Sequence, residues 1–84
     1  MEFQVRVKPK VQKEISNLPK AEYYKVLTAF SMLSQNPFQG KKLKGELCHC
    51  YTYRVWPYRI IYEVHKHELV ILIIRVGHRQ GIYK

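Results

Sequence analysis

Acidic side chains are scarce in this chain of 84 residues. Six Asp and Glu stand against fifteen Lys and Arg, which leaves a formal net charge of +9. A positive potential of this size over a small surface attracts polyanions, so the composition favours nucleic acid or an acidic protein as partner. The apolar fraction of 46% is ordinary for a globular protein, which argues against a disordered chain.

Long apolar runs are also missing. The longest apolar segment, Leu69 to Ile74, has six residues, far short of the roughly 18 that a membrane span requires. The N-terminal residues mix charges with Phe3, Val5 and Val7 and lack the apolar centre of a secretory signal. We therefore expect a cytoplasmic protein with no membrane contact.

Cysteine is limited to Cys48 and Cys50. In the cytoplasm these are expected to be reduced thiols, since two cysteines this close in extended chain bridge each other only with strain. A zinc site is a conceivable alternative, because His49, His65 and His67 fall at the ends of neighbouring predicted strands. Structural zinc sites use cysteines spaced by two to four residues, so C-x-C is a poor chelate. We expect neither a metal nor another cofactor.

The length fits one domain over residues 1–84. Alternation from Phe3 to Lys8 predicts a first strand. Pro9 suits the first turn of a helix that Pro19 closes, and Asn36-Pro37 ends a second helix. The apolar positions that carry the two helical patterns are Val11, Ile15 and Leu18, then Tyr23, Val26, Leu27, Phe30 and Leu33.

The second half reads as strands. A basic loop from Gly40 to Gly45 precedes three predicted strands, over residues 51–56, 58–64 and 68–76. The order predicts an α+β fold in which a helical hairpin packs on one face of a small, largely antiparallel four-stranded sheet (β-α-α-β-β-β). Alternation places the following side chains on the other face: Thr52, Arg54, Trp56, Arg59, Ile61 and Glu63.

Several segments, taken in order, resemble the RelE/ParE toxin superfamily. They are residues 42–45 (KLKG), Cys50-Tyr51, and residues 58–62 (YRIIY), 76–79 (VGHR) and 82–84 (IYK). The resemblance covers nearly the whole chain and is greatest to the RelE branch. It implies the toxin of a type II toxin–antitoxin system that enters the ribosomal A site and cuts mRNA there. It also implies a cognate, acidic, RelB-like antitoxin as partner.

The same resemblance implies a set of catalytic residues. The basic residues of the RelE pattern match Arg54, Arg59 and Arg79, and its C-terminal tyrosine matches Tyr83. The chain departs from the pattern at Thr52, where the family has a lysine. This departure from the family pattern removes one proton acceptor from the site that the resemblance implies.

The chemistry of these residue types agrees with RNA cleavage. RNA breaks when its 2′-hydroxyl attacks the adjacent phosphate. The protein therefore needs to position the RNA, neutralise the developing charge and move protons, and we expect it to do so without a metal. Guanidinium groups make paired, charge-assisted bonds to phosphate oxygens. We predict RNA contacts from the following residues as well: Lys41, Lys42, Lys44, Thr52 and Trp56.

His78 is our candidate for the missing proton acceptor, because imidazole is suited to acid–base work near neutrality. Strand alternation sends His78 and Arg79 to opposite faces, so this role requires the chain to leave the strand at Gly77.

Two other functions fit the same fold. One is a ParE-like toxin that inhibits DNA gyrase without RNA chemistry. The other is a toxin relic with weak catalysis, and the reason to consider it is the threonine at position 52. Surface arginines are often merely solvated, so the site residues depend on the family pattern for their assignment.

Overall fold

The computed structural model describes residues 2–45 and 49–78. Within them, two helices pack on one face of a five-stranded sheet, as an α+β fold with a helical hairpin predicts. The elements in chain order are β1 Gln4–Val7, α1 Pro9–Ser16, α2 Lys20–Gln35, β2 Lys41–Lys42, β3 Cys50–Val55, β4 Tyr58–His65 and β5 Val70–His78.

The sheet has the order β1-β5-β4-β3-β2. The prediction of four strands was wrong by one, because the basic loop contains the short strand β2. Its two residues pair antiparallel with β3, Lys41 opposite Thr52 and Lys42 opposite Tyr51. A strand of two residues shows no period in sequence, so the alternation pattern could not reveal it. β1, the first strand, pairs parallel with β5, the last strand.

The main core lies between the helices and the sheet. α1 buries Val11 and Ile15, and α2 buries Val26, Phe30 and Leu33. These side chains pack on a layer from β4 and β5 that consists of Ile60, Tyr62, Ile71, Ile73 and Val76. The apolar stripes read from the sequence are therefore the faces that the helices bury. Among the described residues, no helix is long and apolar enough to cross a membrane.

A shift in strand register divides β5 into two parts. Tyr62 pairs with Ile73, but the preceding residue Ile61 pairs with Arg75, so Ile74 is an extra residue in the ladder. Such a bulge reverses the alternation of side chains beyond it. Ile71 and Ile73 face the helices before the shift, whereas Val76 faces them after it.

Tyr62 fastens the loop after α2 to the middle of the sheet. Its hydroxyl donates to the carbonyl of Pro37 at 2.8 Å and accepts from the N–H of Gly40 at 3.1 Å. A Cβ at Gly40 would collide with that hydroxyl and lie 2.7 Å from the carbonyl oxygen of Thr52. Glycine is thus required where the loop crosses β3 and β4. Burial raises the pKa of Tyr62 from its ordinary value of 10.0 to about 12, although the hydrogen bond from Gly40 lowers it.

Removing the hydroxyl in Tyr62→Phe is expected to lower the free energy of unfolding by about 1–3 kcal/mol, because two buried backbone groups lose their partner. Tyr51→Phe is the control: this ring stacks on Tyr62 with centroids 5.6 Å apart. In the described part of the chain its hydroxyl makes no hydrogen bond, so its loss should cost less than about 0.5 kcal/mol. Urea unfolding at neutral pH measures both.

The pH dependence provides a second readout of the same contact. The unfolded tyrosine ionises near pH 10 and the folded Tyr62 near pH 12. The stabilisation is therefore complete below pH 10 and declines as the pH rises towards 12. Tyr62→Phe should reduce this decline and Tyr51→Phe should not. Equal behaviour of the two variants would show that Tyr62 does not anchor the loop.

Candidate active site

Two arginines face each other across the β3–β4 hairpin. Arg54 and Arg59 are direct partners in the antiparallel ladder, so both side chains project from the same side of the sheet. That side is the one opposite the helices, and we call it the open face. The arginines line a depression of about 320 Å³ that also takes in Gln39, Gly40, Lys41, Thr52 and Tyr53. We call this depression the arginine groove.

The charges of the arginine groove select an anion. Like charges on directly opposed strand residues repel one another, and the ammonium of Lys41 adds to the same field. A phosphate between them relieves this repulsion and accepts paired hydrogen bonds from the planar guanidinium groups. Arg54 is exposed and Arg59 is half-buried, so the groove presents one guanidinium that is open to solvent and one that is partly covered.

Arg75 is a cation of the open face that the sequence analysis missed. It pairs with Ile61, and Gly77 pairs with Arg59. Arg75 and Arg59 are therefore diagonal neighbours on one face. Gly77, the direct partner of Arg59, has no side chain that would separate them. Simple alternation from Ile71 and Ile73 would have pointed Arg75 at the core, and the bulge at Ile74 reverses it.

The open face is less bare than the sequence predicts. Cys50 and Ile61 are buried there in a second apolar cluster, together with Leu43 and Ile74. Trp56 lies in the turn between β3 and β4 and is 58% exposed. Leu43 follows β2, so the loop after β2 supplies apolar cover at the end of β3 remote from the arginines.

Thr52 lies in the arginine groove but is 9% exposed. Its hydroxyl oxygen is buried, and within residues 2–45 and 49–78 it has no hydrogen-bond partner. The predicted direct RNA contact from this hydroxyl would therefore require the groove to open. The register supplies a cation at the same place, since Lys41 pairs with Thr52 from the adjacent strand.

The three predicted RNA-binding lysines are all exposed, but they do not act on one surface. Lys41 lines the arginine groove. Lys42, the next residue of β2, lines a different cavity beside the β4–β5 turn. The reason is the alternation of side chains along a strand, which holds even for a strand of two residues.

His78 lies on the helix side of the sheet. β5 continues through this residue, which pairs with Tyr58, and the two rings meet edge to face with centroids 6.1 Å apart. The hydroxyl of Tyr58 donates to the carboxylate of Glu22 on α2, and this bond, followed by burial, raises the pKa of Tyr58. The chain does not leave the strand at Gly77, so the condition for His78 to stand beside the arginines is not met.

Some predicted residues lie outside the described part of the chain. They are Arg79, Tyr83 and Cys48, and their roles stay predictions. The candidate zinc ligands do not converge: Cys50 is buried in the cluster on the open face, whereas His49, His65 and His67 line the cavity that contains Lys42. Among the described residues, no group of three or more His, Cys, Asp and Glu side chains could hold a metal ion.

Known proteins share this fold along their whole length. A chain of the RelBE2 toxin–antitoxin complex from Mycobacterium tuberculosis superposes with a TM-score of 0.87 at 30% identity, covering 94% of this chain and 100% of that one. A chain of the archaeal RelE–RelB complex from Pyrococcus horikoshii gives a TM-score of 0.81 at 31% identity, covering 96% and 99%.

The sequence comparisons agree with the structural ones. Toxin RelG of Mycobacterium tuberculosis is 31% identical over 86 residues, covering 100% of this chain and 99% of that protein. The family model of the ParE toxin of type II toxin–antitoxin systems matches residues 5–83. The chain therefore belongs to the ParE toxin family of type II toxin–antitoxin systems, as a RelE-like member of the RelE/ParE superfamily.

Proposed function

We propose that this toxin is a ribosome-dependent endoribonuclease that cuts mRNA in the ribosomal A site and acts in the cytoplasm. The observation that carries the proposal is the pairing of Arg54 with Arg59 across one hairpin, at the mouth of a groove that also holds Lys41. Guanidinium groups so placed suit a pentacoordinate phosphate, whose negative charge exceeds that of the starting diester.

The proposed reaction uses the RNA's own 2′-oxygen as the nucleophile. The 2′-oxygen attacks the neighbouring phosphorus, the bond from phosphorus to the 5′-oxygen breaks, and a 2′,3′-cyclic phosphate and a 5′-hydroxyl result. The 2′-hydroxyl gives its proton to a water molecule and the departing 5′-oxygen takes one from water, so no net proton is gained or lost. The groove neutralises the charge that accumulates between these two transfers, and Arg79 and Tyr83 are the proposed residues that complete the site from the C-terminal segment.

Lys41 is our candidate for the positive charge that the family lysine supplies and Thr52 lacks. It pairs with Thr52 and lines the same groove, so its ammonium reaches the groove from the neighbouring strand, where it stabilises negative charge and accepts no proton. His78 was proposed as the proton acceptor, but its position on the helix side gives it no direct path to the arginines. A catalytic role for His78 stays a prediction and is secondary to that of Lys41.

Inhibition of DNA gyrase is the second candidate function, because the matching family model is that of the ParE toxin. The two functions require different parts of the molecule. RNA cleavage depends on the arginine groove, whereas inhibition by binding requires no transition-state contacts. Supercoiling by purified gyrase in the presence of this toxin distinguishes them, and we expect supercoiling to continue.

Arg54→Ala and Arg59→Ala are each expected to slow single-turnover cleavage on programmed ribosomes by about 10²–10³, as the loss of a transition-state hydrogen bond does elsewhere. Arg59→Lys keeps the charge but loses the planar fork, so its rate should fall between those of Arg59→Ala and the parent. Lys13→Ala, on the exposed side of α1, removes the same charge and should cleave at nearly the parental rate. Parental rates in both alanine variants, with folding intact, would refute the ribonuclease assignment.

Lys41→Ala should also slow cleavage, and Thr52→Lys in the same molecule should recover part of the loss. The reason is that the second change places an ammonium in the groove from β3, at the position that pairs with Lys41 of β2. The two single variants and the double variant form a mutant cycle, measured as single-turnover rates. Additive effects, with no recovery, would mean that Lys41 does not stand in for the family lysine.

The partner of this toxin is proposed to be an acidic, RelB-like antitoxin. The support is the net charge of +9 and the toxin–antitoxin complexes in which the structural neighbours occur. A basic groove and an acidic chain associate quickly, and their binding weakens as the salt concentration increases.

Co-expression of the cognate antitoxin should restore growth, and in the purified complex the antitoxin should protect Arg54 and Arg59 from a guanidinium-modifying reagent. The free toxin is the reference for this measurement. If a stable complex leaves both arginines as reactive as they are in the free toxin, neutralisation does not proceed by covering the groove.

A further inference from the structure

A second cavity, of about 510 Å³, lies where the β4–β5 turn meets β2 and the start of β3. Its imidazoles are His49, His65 and His67, and its ammonium groups are those of Lys42 and Lys66. We call it the histidine cavity. The histidine cavity is distinct from the arginine groove, because the two share no lining residue.

The imidazoles and the arginines lie at opposite ends of β4. Arg59 and His65 are six positions apart on β4, which corresponds to about 20 Å of strand. Arg59 lies at the hairpin end next to Tyr58, whereas His65 lies beside the turn at the other end. The two cavities share no lining residue and approach each other at β2.

Aromatic rings form one wall of the cavity. Phe38 is 45% exposed and meets Tyr51 edge to face, with centroids 5.8 Å apart. Tyr51 in turn stacks on the buried Tyr62, so the exposed ring is supported from the core. Fixed rings at an opening suit the stacking of a nucleic-acid base, which exposed aliphatic side chains do not provide.

Cations surround this wall. The Nζ of Lys66 lies 5.3 Å from the centroid of the Phe38 ring, and Lys42 lines the same cavity. Two carboxylates oppose them: Glu68 lines the cavity, and Glu63 contacts His65 with 3.0 Å between Oε1 and Nε2. The formal charges of these two ammonium groups and two carboxylates balance, and it is an ammonium, that of Lys66, that lies over the Phe38 ring.

β2 connects the two sites. Its residues Lys41 and Lys42 point to opposite faces, one into the arginine groove and the other into the histidine cavity. β2 is also an edge strand of the sheet. A single strand of RNA that passes round this edge meets a lysine on each side of it.

We propose that the histidine cavity binds a nucleotide of single-stranded RNA, with its base on Phe38 and its phosphate on Lys42 and Lys66, beyond the segment held in the arginine groove. The proposal rests on the proposed function in taking RNA as the ligand. It adds a binding site that contributes affinity without taking part in bond breaking.

Fluorescence anisotropy with a labelled oligoribonucleotide of about eight nucleotides, without ribosomes, tests this site. Phe38→Leu keeps the apolar contact with Tyr51 but removes the stacking surface, and should weaken binding by at least about fivefold. Lys42→Ala should weaken it by more than Lys10→Ala, a change of equal charge in the first turn of α1.

Backbone amide shifts in the same titration provide a readout that does not depend on the variants. Shifts at residues 65–68 on addition of RNA are expected. Shifts confined to the arginine groove, or equal losses of affinity in Lys42→Ala and Lys10→Ala, would overturn the proposal. This outcome is independent of the cleavage assay. The arginine variants can lose cleavage although the histidine cavity binds no RNA, and the histidine cavity can bind RNA although the arginine variants cleave at the parental rate.

Discussion

The extra residue Ile74 in the ladder between β4 and β5 determines which chemistry the two faces of the sheet can support. It reverses the alternation of the last strand, so Arg75 and Gly77 come to the open face and Val76 and His78 to the helix side. A regular strand would have buried a guanidinium against the core, at a cost of several kcal/mol. The bulge thus satisfies the core and enriches the open face in positive charge with one local change.

The loop before the sheet depends on a second constraint, the buried hydroxyl of Tyr62. It bonds to the backbone at Pro37 and Gly40 and thereby fixes where β2 begins. β2 then places Lys41 opposite Thr52 in the arginine groove and Lys42 opposite Tyr51. One tyrosine in the core layer accordingly sets the positions of two lysines on opposite faces, and its substitution should disturb both.

The sequence predicted the elements whose periods are long enough to read. The helical stripes on Val11, Ile15, Val26, Phe30 and Leu33 became the buried faces of α1 and α2, because a helix must cover its apolar side. Strand alternation predicted that Arg54 and Arg59 share the face opposite the helices, and the structure adds that they are direct partners in the ladder. The family resemblance is confirmed by the match over residues 5–83, and the proposed catalytic role of these arginines depends on it.

Other features had no readable signal. Leu69 to Ile74 is apolar at every position, so the sequence gives no indication of which residue is the extra one, and the positions of Arg75 and His78 depend on it. β2 is too short to show a period. The burial of Thr52 results from pairing with that strand, and the histidine cavity arises from segments far apart in sequence, such as Phe38 and His65.

The central claim is that the toxin promotes attack by the RNA's own 2′-hydroxyl at a phosphate held between arginines. Its most direct test compares two mRNAs on programmed ribosomes: one all ribose, the other with a single 2′-deoxy nucleotide at the A-site position of the cut. We predict cleavage of the first to a 2′,3′-cyclic phosphate and no cleavage of the second at that bond. Equal cutting of both, or cutting of neither, would contradict the account.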